Sequence, residues 1–200
     1  MRSDGAAHAI LWLRDLTRDV ESRLTEPTQS SNSPLWSPDG TRIAFSISRH
    51  DLYLKDASGG NEEPLVQTAN HKAPSDWSPD GRFLLYTEID PETEGDIWIL
   101  SDPLNKSGGR RATPFLRTRF DESQAQFSPD GRWIAYTSNE SGTYQVYIRP
   151  FPTPPSGSDV KWQVSLNGAW QPRWNHDGKE LFYLNYARTE CRAPDLMRCD

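Results

Sequence analysis

The segment Gln126–Tyr136, which reads QFSPDGRWIAY, contains the pattern that decides the fold of this chain. Its turn sequence occurs four times, the last time as Asn-His-Asp-Gly: Ser37–Gly40, Ser78–Gly81, Ser128–Gly131 and Asn175–Gly178. The four turn aspartates are 41, 50 and 47 residues apart. Repeat periods in this range are typical of four-stranded propeller blades, so the sequence predicts a protein made of such blades.

Each turn is flanked by apolar residues at constant distances. An aromatic residue stands three positions before each turn aspartate: Trp36, Trp77, Phe127 and Trp174. Three apolar residues in a row begin four positions after it: Ile43–Phe45, Leu84–Tyr86, Ile134–Tyr136 and Leu181–Tyr183. A strand that is apolar on both faces is buried on both faces. We therefore expect these strands, and the aromatic residues before the turns, to be buried between neighbouring blades.

The turn sequence itself has a conformational explanation. Proline presets φ near −65° at the second position, and glycine at the fourth allows a positive φ. A turn of this kind connects a short first strand to a longer second strand. Because the aspartates Asp39, Asp80, Asp130 and Asp177 recur once per repeat, we interpret them as part of the architecture and not as a catalytic set.

The repeats predict an all-β fold of sixteen strands with the following boundaries. Residues 1–8 are an N-terminal tail, 9–25 a half blade, 34–69, 74–117 and 124–166 complete blades, 171–186 a second half blade, and 187–200 an unstructured C-terminal tail. These boundaries predict a partial propeller arc of about four blades. The alternative is a four-bladed ring that closes when the two half blades pair.

Composition supports a globular β protein and excludes several functional classes. Hydrophobic residues make up only 34% of the chain, but its 8 Trp, 7 Tyr and 7 Phe are too many for a disordered acidic chain. The net charge of −6 argues against nucleic-acid binding. No apolar stretch approaches the ~20 residues of a membrane-spanning helix, so we expect no membrane insertion. The only cysteines, Cys191 and Cys199, exclude a disulfide framework.

The repeat unit resembles TolB-type, WD-repeat-like β-propeller repeats. The resemblance covers Ala9 to Asn185 and rests on the Pro-Asp-Gly turn, the preceding aromatic residue and the following aliphatic-small-aromatic strand. The segment Glu122–Pro152, with Trp162–Ser165 and Gln171–Trp174, is similar to the C-terminal propeller of bacterial serine/threonine protein kinases. The resemblance implies a sensing propeller of a larger bacterial protein. It also implies a periplasmic or other extracytoplasmic location, although the sequence shows no signal-peptide pattern.

A search for catalytic and binding motifs predicts no catalytic, cofactor-binding or metal-binding residue. Kinase motifs and the Gly-x-Ser-x-Gly nucleophile motif are absent. The four histidines, His8, His50, His71 and His176, lack the spacing of a metal site. We interpret the acidic segment Asp90–Asp96 as a solvated loop. We interpret the basic residues Arg110, Arg111, Arg117 and Arg119 as a solvated strand edge, with an acidic partner as the alternative.

These observations favour a non-catalytic binding module. We expect a protein or small ligand to bind at one propeller rim through three irregular segments, Asp90–Asp96, Ser138–Thr143 and Pro150–Asp159, because recognition usually lies in loops that vary on a repeated frame. The alternatives are an enzyme part, either a substrate-gating propeller of a peptidase-type enzyme or a lyase that uses loop histidines, and a truncated product without a role of its own. We also expect self-association through open blade faces lined by residues such as Trp12 and Tyr183.

Overall fold

The computed structural model describes residues 8–105, 108–152, 160–185 and 191–192. These residues form seventeen β-strands in five antiparallel sheets, and no α-helix occurs among them. In particular, no helix within these ranges is long and apolar enough to span a membrane. The prediction of an all-β chain is therefore confirmed.

The chain divides into two compact units, Met1–Pro74 and Ser75–Asp200. The first unit contains a two-stranded sheet, β1 (Trp12–Asp15) and β2 (Val20–Arg23). Its second sheet has four strands in sequential order: β3 (Ser31–Trp36), β4 (Arg42–Ile47), β5 (Asp51–Asp56) and β6 (Glu63–Val66). The first sheet lies within residues 9–25, and the second begins at Ser31, three residues before the predicted start of its blade at residue 34.

The next two sheets also have four strands each in sequential order. The first consists of β7 (His71–Trp77), which begins in the first unit, β8 (Phe83–Asp90), β9 (Glu94–Ser101) and β10 (Arg111–Leu116). The second consists of β11 (Glu122–Phe127), β12 (Trp133–Ser138), β13 (Gln145–Pro150) and β14 (Trp162–Gln163). The repeat predicts that strands consecutive in the chain are neighbours in the sheet, and this is the observed order.

The last sheet has three strands, β15 (Ala169–Trp174), β16 (Leu181–Asn185) and β17 (Cys191–Arg192). The backbone of β17 pairs with β16, so the prediction that residues 187–200 lack structure is wrong at Cys191–Arg192. The free edge of β16 supplies unpaired backbone donors and acceptors, which the returning chain satisfies. The remainder of that predicted tail lies outside the described residues.

The repeated turns have the predicted geometry. Gly131 has a φ of +69°, and its amide donates a hydrogen bond to the Ser128 carbonyl oxygen at 2.8 Å. In each of the other three turns, the glycine amide donates to the carbonyl oxygen of the first turn residue at 2.9 Å. The Ser128 hydroxyl donates to Asp130 Oδ1 at 2.6 Å and accepts from the Trp133 amide at 3.0 Å. Each turn therefore satisfies its own polar groups.

Most of the apolar core lies between consecutive sheets. In the Ser75–Asp200 unit, one cluster joins the sheet β7–β10 to the sheet β11–β14: Leu85, Ile97, Ile99, Leu116, Ala125, Phe127, Ile134, Tyr136 and Tyr147. A second cluster joins β11–β14 to the last sheet: Ala135, Val146, Ile148, Ala169 and Leu181. Burial on both faces of β12 explains why its sequence, WIAYTS, is almost continuously apolar.

Two expectations about aromatic residues are wrong: that Trp36 is buried between blades, and that Tyr183 lines an open blade face. Trp77 and Phe127 are buried, but Trp36 is 50% exposed. The sheet that precedes Trp36 in the chain has only two described strands, so it presents a smaller surface for this side chain to cover. Tyr183 packs against the second cluster, whereas its neighbours Phe182 and Leu184 are exposed, because successive side chains of a strand point to opposite faces.

Candidate functional site: an acidic rim

The sheets of the Ser75–Asp200 unit have two ends that differ in their connections. At the turn end lie the three repeated turns Ser78–Gly81, Ser128–Gly131 and Asn175–Gly178. At the opposite end, which we call the rim end, lie the connections 91–93, 117–121, 139–144 and 164–168. Antiparallel strand order places these connections together, because every second strand begins at the same end of its sheet.

The two ends carry opposite charge. Within three residues of the strand ends and in the loops, the described rim residues include eight carboxylates, which we call the acidic rim: Glu88, Asp90, Glu92, Glu94, Asp96, Asp121, Glu122 and Glu140. Among the described residues from Ser75 onward, the cations at these positions are Arg117 and Arg119; Lys72, near the start of β7, precedes Ser75 and is not counted. The described turn end has six carboxylates and eight cations by the same criterion. The rim therefore carries most of the negative charge of this unit.

Asp96, the third residue of β9, is the most deeply placed carboxylate of the β8–β9 hairpin. Its side chain is only 1% exposed, and its Oδ2 accepts a hydrogen bond from the Thr93 hydroxyl at 2.8 Å. Its Oδ1 is buried without a hydrogen-bond partner. Burial raises the pKa of Asp96, and the Asp90 and Glu88 carboxylates act in the same direction. The expectation of a solvated loop is wrong at Asp96, which is buried within β9, whereas Glu92 in the connection 91–93 and Glu94 at the start of β9 are exposed.

Glu122 begins β11 and is also only 1% exposed. Its Oε1 accepts a hydrogen bond from the Thr118 hydroxyl, while its Oε2 is buried without a partner. The pKa of Glu122 is raised to about 7. Burial is the largest cause, the Asp96 and Glu140 carboxylates act in the same direction, and the hydrogen bonds from Thr118 oppose the shift. The rim thus contains two neighbouring buried carboxyl groups, each with one unpaired oxygen.

Arg117 pairs with two carboxylates of the β8–β9 hairpin at the rim. Its Nη2 lies 3.0 Å from Asp90 Oδ2, and its Nε lies 3.5 Å from Asp96 Oδ2. Arg110 and Arg111 lie at the other end of β10. The four arginines that we interpreted as a solvated strand edge therefore do not form a single surface for the alternative acidic partner, since a six-residue strand separates the two pairs by roughly 20 Å.

Hydrogen bonds hold the rim connections against one another. The Asp121 amide donates to Asn139 Oδ1 at 3.0 Å, and the Tyr144 hydroxyl donates to Asp121 Oδ2 at 2.5 Å. Gly95 lies directly beneath this contact: a Cβ atom at that position would overlap the Asp121 carboxylate and lie 2.9 Å from the Glu122 carbonyl oxygen. The rim is therefore an ordered surface that depends on a close approach at Gly95.

The structure separates the three segments that sequence analysis assigned to one rim. Asp90–Asp96 and Ser138–Thr143 lie at the rim end. Pro150–Asp159 begins at the turn end, because β13 runs away from the rim, and its residues 153–159 lie outside the described part of the chain. The other connections at the rim end, 117–121 and 164–168, were not among the predicted segments.

A second polar group lies on the first strands of the sheets, near the turn end. Asp76 Oδ2 accepts a hydrogen bond from the Phe127 amide at 2.8 Å. Burial raises the pKa of Asp76 to about 6, although this hydrogen bond and Arg173 oppose the shift. With its amide oxygen oriented toward Arg173 Nη1, Gln126 accepts a hydrogen bond at 3.3 Å. These contacts link the first strands of neighbouring sheets, so Asp76, Gln126 and Arg173 have a structural role.

Sequence analysis missed Glu122, although the repeat contains a signal for it. Eight positions before the turn aspartates stand Ser31, Lys72, Glu122 and Ala169, and all four are buried. Lys72 satisfies its charge by donating to the carbonyl oxygens of His50 at 2.9 Å and Asn70 at 2.8 Å. A repeat position that holds serine and alanine in two copies and an ionisable residue in the other two is the pattern that would have identified Glu122.

The described residues bring two of the four histidines together, with the rings of His50 and His71 4.3 Å apart. Within those same residues, no group of three or more His, Cys, Asp or Glu side chains is arranged to hold a metal ion. The rim offers instead a set of oxygen acceptors on an ordered surface. Such a set binds cationic groups and hydrogen-bond donors.

Comparison with known proteins supports the propeller fold. No family model matches the chain. It is 30% identical over 81 residues to the uncharacterized peptidase YuxL of Bacillus subtilis, a match that covers 38% of this chain and 12% of that protein. The chain therefore spans only a small part of this relative.

Two solved structures extend the comparison over nearly the whole chain. TolB of Agrobacterium tumefaciens matches with a TM-score of 0.72 and 21% identity, over 90% of this chain and 64% of that one. TolB of Acinetobacter baumannii matches with a TM-score of 0.70 and 21% identity, over 92% and 45% respectively. The chain thus spans less than two thirds of either structure. At this identity the likeness concerns the fold, and the chain is built of TolB-type β-propeller repeats arranged in four-stranded blades, about four in number.

Proposed function

We propose that this chain is a non-catalytic recognition module that binds a protein partner through the acidic rim. The observation that carries the proposal is the contrast between the two ends of the Ser75–Asp200 unit. Repeated residues stabilise the turn end, while residues that differ between repeats form an ordered, charged surface at the rim. Variable loops on a repeated frame are the usual location of recognition.

The proposed role belongs to a larger bacterial protein, of which a kinase-associated or TolB-like propeller is an example. TolB-type repeats support a role in recognition, since propellers present loops from several blades on one end. Propellers serve many functions, so the residues of the rim, and not the fold, have to identify the partner.

A selection experiment tests this function. Random twelve-residue peptides displayed on phage are selected on the immobilised chain, and each enriched peptide is then measured against E92K at the rim and D102K at the turn end. Both substitutions reverse one exposed charge. We expect E92K to change the affinity of the enriched peptides and D102K to leave it unchanged. Peptides that respond to D102K alone would refute binding at the rim.

A substrate-gating propeller of a peptidase-type enzyme is the second candidate. The partial likeness to a protein described as a peptidase supports it. Incubation of the chain with chromogenic proline-containing peptides tests whether the chain itself is catalytic, because neither a recognition module nor a gating propeller alone hydrolyses peptides. Turnover that follows the chain through purification would overturn the non-catalytic function.

Self-association through an open blade face is a further proposal about partners. Phe182 and Leu184 on β16 are exposed side by side on one face, and Trp12 on β1 is 61% exposed. Exposed apolar patches mark interaction surfaces. Light scattering of the purified chain, compared with an F182S/L184S variant, measures this: we expect a concentration-dependent mass that the variant loses.

A further inference from the structure

We propose that the partner of the acidic rim is a basic polypeptide segment, and that one of its arginine or lysine side chains is bound between Asp96 and Glu122. This inference rests on the proposed function and names the chemistry of the partner. It assigns a specific acceptor pair to residues that repeat packing does not require.

The first step is the pair of unpaired oxygens. Asp96 Oδ1 and Glu122 Oε2 are buried atoms without hydrogen-bond partners, on side chains that are almost completely buried. Leaving such an acceptor unpaired costs about 1–3 kcal/mol for a neutral group and more for a charged one. A guanidinium or ammonium group carries the donors that both oxygens lack, and it also neutralises their repulsion.

The second step is the behaviour of Arg117. The chain places its own guanidinium against Asp90 Oδ2 and Asp96 Oδ2, so a planar cation already contacts the Asp96 carboxyl through the oxygen next to the unpaired Oδ1. Its Nε, however, is 3.5 Å from Asp96 Oδ2, a long contact, and the side chain is 48% exposed. Arg117 is therefore a displaceable occupant, and an arginine of the partner competes with it for the same carboxylates.

The third step is the electrostatic field around the pair. Eight carboxylates and two arginines share the rim positions, and Lys161 reaches from the turn end to pair with Glu140. An end of this composition attracts basic segments and repels acidic ones. The excess of cations at the turn end directs the same partner away from that end.

Binding of a cation has a defined pH dependence. Glu122 faces Thr118, Asp96 and Glu140, and Asp96 faces Thr93, Arg117, Asp90 and Glu88. Burial raises the pKa of Glu122 to about 7, so this group is mostly protonated at pH 6 and mostly ionised at pH 8. Affinity for a cation therefore increases from pH 6 to pH 8, and the increase depends on Glu122.

The test uses fluorescein-labelled hexaarginine, with hexaglutamate as the acidic control, measured by fluorescence anisotropy at 150 mM salt. We expect hexaarginine alone to bind. The D96N/E122Q variant should bind it about tenfold more weakly, the loss of roughly one charged hydrogen-bonding group. The variant E21Q/E26Q, which removes two exposed carboxylates of the first unit, is the control for net charge and should change affinity less than twofold. Equal losses in the two variants would overturn the proposal.

Two arginine variants sharpen the test. R117A removes the cation that contacts Asp96 Oδ2 and competes for that carboxyl, whereas R119A removes an equally charged group that lies over the Phe120 ring. We expect R117A to strengthen hexaarginine binding severalfold more than R119A does, and E122Q to abolish the increase between pH 6 and pH 8. Equal effects of R117A and R119A would show that only net charge matters and would refute a specific site.

The phage selection separates failure of this inference from failure of the proposed function. Enriched peptides that respond to E92K but contain no excess of arginine or lysine would refute the basic partner and leave the rim as the binding surface. Peptides that do not respond to rim substitutions would refute both.

Discussion

The repeated turn aspartate Asp80 and the buried rim carboxyls Asp96 and Glu122 differ in the direction of their pKa shifts. At the turn end, the Ser78 hydroxyl donates a hydrogen bond to Asp80 and lowers the pKa of that carboxyl. At the rim, burial raises the pKa of Asp96 and brings that of Glu122 to about 7. The repeated turn therefore satisfies its carboxylate locally, whereas Asp96 and Glu122 are each buried with one oxygen that has no hydrogen-bond partner.

The difference between the two ends also appears in the glycines. Gly131 at the turn end is required for its backbone conformation, with φ of +69° and no atom closer than 3.7 Å to an added Cβ. Gly95 at the rim has an ordinary φ, but its neighbours leave no room for a Cβ. Gly131 is therefore needed for the conformation of the repeated turn, and Gly95 for the close approach of the β8–β9 hairpin to the connection 117–121.

The largest expected effect concerns the pH dependence of stability at Glu122. The unfolded chain releases this proton near the ordinary pKa of 4.5, whereas the folded chain holds it until about pH 7. The contribution that protonated Glu122 makes to the free energy of unfolding is therefore fully present below pH 4.5 and is lost as the pH rises to 7. We expect the free energy of unfolding of the wild type to fall by about 3 kcal/mol over this interval relative to E122Q.

Urea titrations at pH 5 and pH 8 measure this difference. Asp76, whose pKa burial raises to about 6, contributes a fall of the same sign in both proteins, so only the comparison with E122Q isolates Glu122. Wild type and E122Q that respond identically to pH would show that Glu122 is ionised throughout and that the rim does not hold an unsatisfied carboxyl.

The next largest effect is expected for Gly95→Ala at the rim. The added methyl group overlaps the Asp121 carboxylate and approaches the Glu122 carbonyl oxygen, so the two connections have to separate. Overpacking of this kind costs about 2 kcal/mol. Thermal unfolding of G95A, of D121A and of the double variant tests the cause, because removal of the Asp121 side chain should recover part of the loss. An additive double variant would contradict a direct clash.

The smallest effect is expected for Gly131→Ala at the turn end. Alanine has to adopt a positive φ there, which costs about 1 kcal/mol. Gly40→Ala is the matched variant, because Gly40 has a φ of +68° and no atom within 4 Å of an added Cβ. Chemical denaturation should give similar losses for both. A neutral result at either position would mean that its turn tolerates another conformation.

The sequence by itself determined the repeat, and with it most of the fold. Turn chemistry at Ser128–Gly131 and the apolar run Ile134–Tyr136 are local signals, because φ preferences and strand periodicity depend on neighbouring residues alone. They predicted the blades, the connections and the structural role of the turn aspartates. The sequence also indicated that recognition belongs to the variable segments.

Only the tertiary structure decided which charged residues meet. Asp96 and Glu122 are 26 positions apart and lie on strands of different blades, so no local pattern joins them. Because β13 runs from the rim to the turn end, Pro150–Asp159 begins at the turn end. Because β10 lies between Arg111 and Arg117, these two side chains do not share a surface. Burial, and hence the raised pKa of Glu122, results from the packing of one blade on the next, which composition and periodicity do not encode.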